Sequence, residues 1–193
     1  KKFTPLKKDV DEFAIKLEAC ITAIISVDSR GESEEHLKGP IKTFLSSTFY
    51  GDHEINTRER IDLAIYLSKD ATSDVGVLLE AKKPSNKSEF PKNGQLNCKA
   101  FQELLLYYLK ERIDHKNNNI KHLIITNGYE WYFFKAEDFY DTFYKDKELV
   151  KEYGQFRDKL KDSFRNELFY KEIAESYISK AQDKIPFVHL DFR

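Results

Sequence analysis

Apolar residues recur at helical spacing through residues 11–27, at Phe13, Leu17, Cys20, Ile21, Ile24 and Ile25, which predicts a helix with one apolar face. Residues 29–33, around Gly31, break it. A second helix is predicted over 33–49, with Ser33 as its N-cap and Leu37, Ile41, Phe44, Leu45 and Thr48 on one side. Glu34 shares that side, and Gly39-Pro40 falls inside the helix as a bend. The period then changes to two. Residues 53–57 give a weak strand. Residues 61–67 alternate Ile61, Leu63, Ile65 and Leu67 against Asp62, Ala64 and Tyr66. After a turn-rich stretch, 75–82 alternate Val75, Val77, Leu79 and Ala81 against Gly76, Leu78, Glu80 and Lys82.

Pro84 ends that strand, and a polar loop with two prolines and a glycine follows to residue 97. Helical spacing returns over 98–113, with Phe101, Leu104, Leu105, Tyr108 and Leu109 as the buried stripe. Residues 120–126 and 129–135 read as a hairpin joined at Asn127-Gly128, where both positions tolerate positive φ. Helices are predicted over 136–143, 147–164 and 167–181, and a last strand over 185–192. Strands with helices between them predict an α/β fold, a mixed sheet flanked by helices with further helices at the C-terminal end. The chain reads as a single domain: an N-terminal helix in 1–31, a core in 32–135, and a helical extension with a terminal strand in 136–193.

The 193 residues suffice for one real core, and 34% are charged, yet the charges nearly cancel to −1. That balance argues against a protein that grips nucleic acid unaided, since phosphate neutralisation supplies most such affinity. It argues less against a cleavage module brought to its substrate by other parts. Cys20 and Cys98 have neither disulfide-framework nor zinc spacing and read as core or incidental thiols in a reducing cytoplasm. No signal peptide and no apolar run of membrane length is visible. The chain begins at Lys1, which reads as an excised or trimmed fragment, and it contains no methionine, which is unusual for this length.

Candidate chemistry centres on Glu80-Ala81-Lys82. Residues two apart on a strand share a face, so Glu80 and Lys82 project together from the end of an apolar strand. If the preceding strand pairs with it as a hairpin, Asp62 comes within reach of the same point; a one-residue slip would separate them. Two carboxylates and an ammonium suit phosphodiester hydrolysis. Mg²⁺ takes oxygen ligands, polarises a phosphoryl oxygen and lowers the pKa of bound water, and a lysine can act on that water. The plain alternative is a solvated charged strand face.

In this context Asp62…Glu80-Ala81-Lys82 resembles the PD-(D/E)XK nuclease signature, with Ile61 in place of its proline, and the element order from Glu34 to Thr126 resembles that superfamily's αβββαβ core. The stretches EEHLKGPIKTFLSSTFY, INTRERIDLAIY, GVLLEAKKPSNKSE, KAFQELLLYYLKERIDHKNNNIKHLIITNGYEWYFF and FYKEIA are similar to the N-terminal nuclease region of type IIG restriction–modification enzymes. The resemblance implies a restriction-endonuclease-like fold and a Mg²⁺-dependent DNA endonuclease, with Mn²⁺ able to substitute. Asp62, Glu80 and the Ala81 carbonyl would hold the metal, Lys82 would act on the attacking water, and Glu34 would hold a metal-bound water. A helix-capping role for Glu34 stays open, and Glu35 is its neighbour out of phase. Gln102 or Glu103 would face the site from the following helix.

The implied partner is double-stranded DNA, with transient dimerisation for double-strand cleavage, in a bacterial or archaeal cytoplasm. The methyltransferase and target-recognition regions would lie elsewhere in the parent polypeptide, since no Asn-Pro-Pro-Tyr-like motif and no glycine-rich cofactor loop occurs here. Alternatives are a repair or recombination nuclease of the same fold, and a nuclease-like binding or assembly module without catalysis. Lys83, Lys87, Lys92 and Lys99 flank the loop as weaker candidates for DNA phosphate contacts. The five histidines show no metal-ligand spacing, and Trp131 and the other aromatics read as core. Asp62→Asn and Lys82→Ala are expected to remove cleavage without unfolding the domain.

Overall fold

The computed structural model describes residues 4–58, 61–92, 94–159 and 166–193. Helix α1, Lys7–Ser29, buries Leu17, Cys20, Ile24 and Val27. Ile25, expected on its apolar face, is largely exposed. The helix stops where Gly31 takes φ +67°, a conformation that costs glycine little. The second helix differs from its prediction. Glu34–Leu37 forms a 3₁₀ turn, and α2 proper runs Lys38–Thr48. The restart places Pro40 in the first turn of α2, where its missing N–H has no intrahelical acceptor to lose. The Ser33 side chain makes no capping bond.

Strands β1 (Ile55–Arg58), β2 (Ile61–Tyr66) and β3 (Val75–Ala81) pair antiparallel in sequence order. Helix α3 (Lys99–Ile113) then crosses over so that β4 (His122–Thr126) lies parallel to β3. Strands β5 (Glu130–Lys135) and β6 (Val188–Asp191) extend the sheet antiparallel, giving the order β1-β2-β3-β4-β5-β6. The molecule is therefore mixed α/β, with a six-stranded mixed sheet and helices on both faces.

Every residue of β3 is buried. Its alternation separates two apolar faces, not core from solvent, as expected of a central strand covered on both sides. Leu63, Ile65, Val77, Leu79 and Ala81 pack with α1 and α2, and Ala64 and Leu78 pack with α3. The strict alternation fails at Val75, which joins the α3 side. Ile65 pairs with Val77 but Tyr66 with Val75, so Gly76 is the extra residue of a bulge. A Cβ on Gly76 would lie 2.7 Å from Leu67, which is exposed and not inward as the pattern implied. Ile61, at the start of β2, also packs on the α3 side.

The C-terminal helices close over α3. Helix α4 (Ala136–Phe139) continues as a π turn, Tyr140–Tyr144, before α5 (Lys147–Lys159). The rest of the helix predicted over 147–164 lies outside the described residues. The helix predicted over 167–181 is continuous, with a π segment inside it: α6 (Asn166–Leu168), a π turn (Phe169–Ala174) and α7 (Glu175–Ala181) follow one another without a break. The aromatic residues do form core: Phe101, Phe134, Phe139 and Phe143 meet one another under α3, and Trp131 packs on Phe44. Sequence reasoning missed a buried polar clasp. Glu111 of α3, 2% exposed, takes the Arg58 guanidinium at 2.8 Å and the Asn117 amide at 3.0 Å, and that amide also donates to the Val75 carbonyl. Among the described residues no helix is long and apolar enough to cross a membrane.

The β4–β5 hairpin sits where Asn127-Gly128 predicted it, but only Gly128 has positive φ, at +89°. Asn127 works through its side chain instead, whose oxygen accepts the Tyr129 and Glu130 N–H groups. A Cβ on Gly128 would come within 2.6 Å of Ile24, so the turn seats directly on α1. Gly128→Ala combines backbone strain with overpacking and is expected to cost about 2 kcal/mol or more in a urea denaturation.

Candidate active site

The β2–β3 register answers the question of facing. Leu63 pairs with Leu79 and Ala64 with Leu78, so one further step sets Asp62 opposite Glu80. Both project to the side of α3, and Lys82, two residues beyond Glu80, follows. The ladder continues past β3: the Lys82 N–H donates to the Thr126 carbonyl at 2.9 Å, which fixes the backbone that carries the lysine. Asp62 is held as well. Its Oδ2 accepts the Ala81 N–H at 2.9 Å, and its Oδ1 lies 3.4 Å from Lys38 Nζ.

Lys82 is 4% exposed and Glu80 2%. The lysine ammonium donates to Glu80 Oε1 at 2.7 Å and to Glu103 Oε2 at 2.6 Å, with Glu34 at 3.6 Å and Glu89 at 4.0 Å. Carboxylates from four segments thus surround one ammonium. The choice on α3 falls to Glu103; Gln102 turns away and donates to Asn97 Oδ1 at 2.9 Å. Glu34 is at the cluster and not merely a helix-start acid: its Oε1 accepts the Lys83 N–H at 3.2 Å and the Asn86 amide at 3.0 Å. Glu35 is exposed and pairs with Lys38.

Two participants escaped the sequence reading. Lys38, the first residue of α2, reaches Asp62 while also pairing with Glu35, and no periodicity in the sequence marks it. Glu89 comes from the loop, where no periodicity marks it; Asn86 and Lys99 hold it in place.

Of the loop lysines, Lys83 donates to the Glu32 carbonyl at 3.3 Å and Lys99 pairs with Glu89 and Glu167, so neither stands ready for a phosphate. Lys87 and Lys92 are exposed and, with Phe90, Tyr129 and Arg193, line a cleft of about 660 Å³ beside the loop. The histidines stand apart from the cluster; His53, for example, bonds the Tyr66 carbonyl and His189 stacks on Tyr132. Burial pushes the Cys20 thiol up to about 12 and that of Cys98 to about 11, away from the thiolate form.

The electrostatics follow from burial and charge count. Burial pushes Glu80 well above the usual carboxylate range, and the carboxylates of Asp62 and Glu103 push it further against the pull of Lys82. Burial also raises Asp62, offset in part by the Ala81 N–H and by Lys38. Burial alone would depress Lys82, but Glu80 and Glu103 outweigh it and hold the ammonium charged. The cluster remains short of positive charge.

Among the described residues no three His, Cys, Asp or Glu side chains form a ready cluster of metal ligands. Mg²⁺ does not require one, since it commonly keeps several waters and takes one or two carboxylates. One atom does call for a cation: Glu80 Oε2 is buried and has no hydrogen-bond partner. Asp62 and Glu80 therefore fit such an ion. The Ala81 N–H donates to Asp62; that bond does not involve the Ala81 carbonyl, the further ligand that the resemblance implies.

No curated protein and no solved structure matches the chain. A family model described as "Domain of unknown function (DUF7149)" matches residues 1–193, and the chain belongs to that family.

Proposed function

We propose that this chain is a metal-dependent DNA endonuclease domain of restriction-endonuclease-like fold, the cleavage module of a restriction–modification enzyme of the type IIG kind. The observation that carries the reading is the facing of Asp62 and Glu80 across β2 and β3, with the Lys82 amine on Glu80. The element order supports it too: a helix, three antiparallel strands, a crossover helix and a parallel strand are what an αβββαβ core requires.

In this reading Asp62 and Glu80 hold Mg²⁺ or Mn²⁺, which when bound supplies charge stabilisation at the scissile phosphate and a more acidic water. The Ala81 N–H and Lys38 orient Asp62. Lys82, beside Glu80, would orient the attacking water and stabilise developing charge. Glu103 and Glu34 keep the lysine in place. Lys87 and Lys92 contact the DNA backbone from the loop.

A second reading has its own observation. Lys82 already neutralises much of the carboxylate cluster, as a purely structural ion network would, and a nuclease-like binding or assembly module would need no more. Supercoiled plasmid separates the two. Excess domain with Mg²⁺ or Mn²⁺ is expected to nick it, and EDTA to stop the nicking. Intact plasmid with the domain and also with its full-length parent protein would favour the structural reading.

A further inference from the structure

A second polar cavity lies on the α3 side of the sheet, at the end of the β3–β4 pair opposite the carboxylate cluster. Its position follows from the register: Lys121 donates to the Gly76 carbonyl, and His122 pairs with Lys135 across β4 and β5. The cavity measures about 570 Å³, within the usual range for a small-molecule site. Arg112, Lys121, His122 and Lys135 line it together with Tyr108 and Tyr140.

Arg112 is the unusual member. Its guanidinium carbon lies 5.1 Å from the Tyr140 ring centroid and 4.8 Å from that of Tyr144, two rings stacked on each other. Contact with ring faces holds the group in place but satisfies none of its five donors. Its Nε is buried without a hydrogen-bond partner, and no carboxylate pairs with it among the described residues. Lys121 and Lys135 likewise have no ion-pair partner among the described residues. Two acids, Glu137 and Asp141, also line the cavity, and Asp141 is already taken by Lys145 at 2.7 Å. The walls therefore carry a positive excess, and one donor of the guanidinium, Nε, is without an acceptor.

We infer that this cavity binds a phosphate-bearing small molecule, with Arg112 as the phosphate-gripping fork and Lys121 and Lys135 as flanking charges. A guanidinium matches phosphate oxygens two at a time, and the two ammonium groups suit a dianionic or larger charge. The ligand is inorganic phosphate or pyrophosphate, or the phosphate chain of a nucleotide. The inference is independent of the reading of Asp62 and Glu80, which lie at the other end of the strands.

Calorimetric titration of the whole chain in EDTA tests it, with pyrophosphate, ATP and a short DNA duplex as separate probes. Saturable binding of pyrophosphate or ATP is expected. Arg112→Gln should weaken it roughly tenfold or more, the effect of losing a charged hydrogen-bonding pair. Because Arg112 also packs on tyrosines, the exposed double variant Lys121→Gln/Lys135→Gln serves as a second reporter and should weaken binding while melting as the wild type does. Asp62→Asn should bind unchanged. ATP tighter than pyrophosphate identifies a nucleotide site, and equal affinities identify a site for the phosphates alone. The inference is overturned if neither probe binds at millimolar concentration, or if binding ignores both basic-residue variants. It is also overturned if Asp62→Asn abolishes binding, or if only the duplex binds through Arg112.

Discussion

Lys82→Ala is expected to lower the unfolding free energy by about 3 kcal/mol near neutral pH, the usual cost of leaving one partner of a buried ion pair uncompensated. The residue is 4% exposed, with carboxylates of Glu80 and Glu103 in direct contact and Glu34 and Glu89 close by. Removing the ammonium leaves Glu80 buried among like charges. The loss should shrink on acidification, as Glu80 and its neighbours take up protons, and shrink again with millimolar Mg²⁺. Urea denaturation at several pH values, with and without Mg²⁺, measures both effects. A variant as stable as the wild type at neutral pH would mean that the lysine does not hold the cluster together. To the sequence-based expectation that Lys82→Ala removes cleavage without unfolding the domain, the burial of Lys82 adds a cost in stability.

Asp62→Asn should behave in the opposite way. The side chain keeps its shape and keeps an oxygen for the Ala81 N–H, while one negative charge leaves a cluster that has too many. Metal-free stability is expected to stay level or rise. Plasmid nicking should fall by roughly a thousandfold, the scale of the several kcal/mol that a metal contributes to stabilising charge in the transition state. A folded Asp62→Asn domain that still nicks at the wild-type rate would remove Asp62 from the mechanism.

The pH dependence of the wild type has a definite sign. The Glu80 carboxyl sits above its ordinary value near 4.5 in the folded chain because of burial and of Asp62 and Glu103. The native state therefore holds this proton more tightly than the unfolded state. The contribution to metal-free stability is fully present below that ordinary value and is lost as pH rises through the raised one. Mg²⁺ binding runs the other way, strengthening as pH rises, because its ligands must be deprotonated.

Much of the fold could be read before any coordinates. Periods of 3.6 and 2 located α1, α3 and the strands, because each element must turn apolar side chains toward a neighbour. Glu80-Ala81-Lys82 stood out because charge interrupts an otherwise apolar strand, and two-residue spacing requires a common face. What sequence could not fix was everything set by packing between distant segments. Asp62 faces Glu80 only because of the β2–β3 register, and the bulge at Gly76 that turns Val75 to the other face leaves no mark in the pattern. Glu103 and not Gln102 reaches Lys82 because of how α3 is rotated on the sheet, and periodicity alone left both open. The loop position of Glu89, the Glu111 clasp and the unpartnered Nε of Arg112 arise where segments far apart in the chain meet. Local sequence determines which faces of each element are apolar. Only the folded chain decides which charges end up buried together, because burial and partner distance are properties of the packed whole.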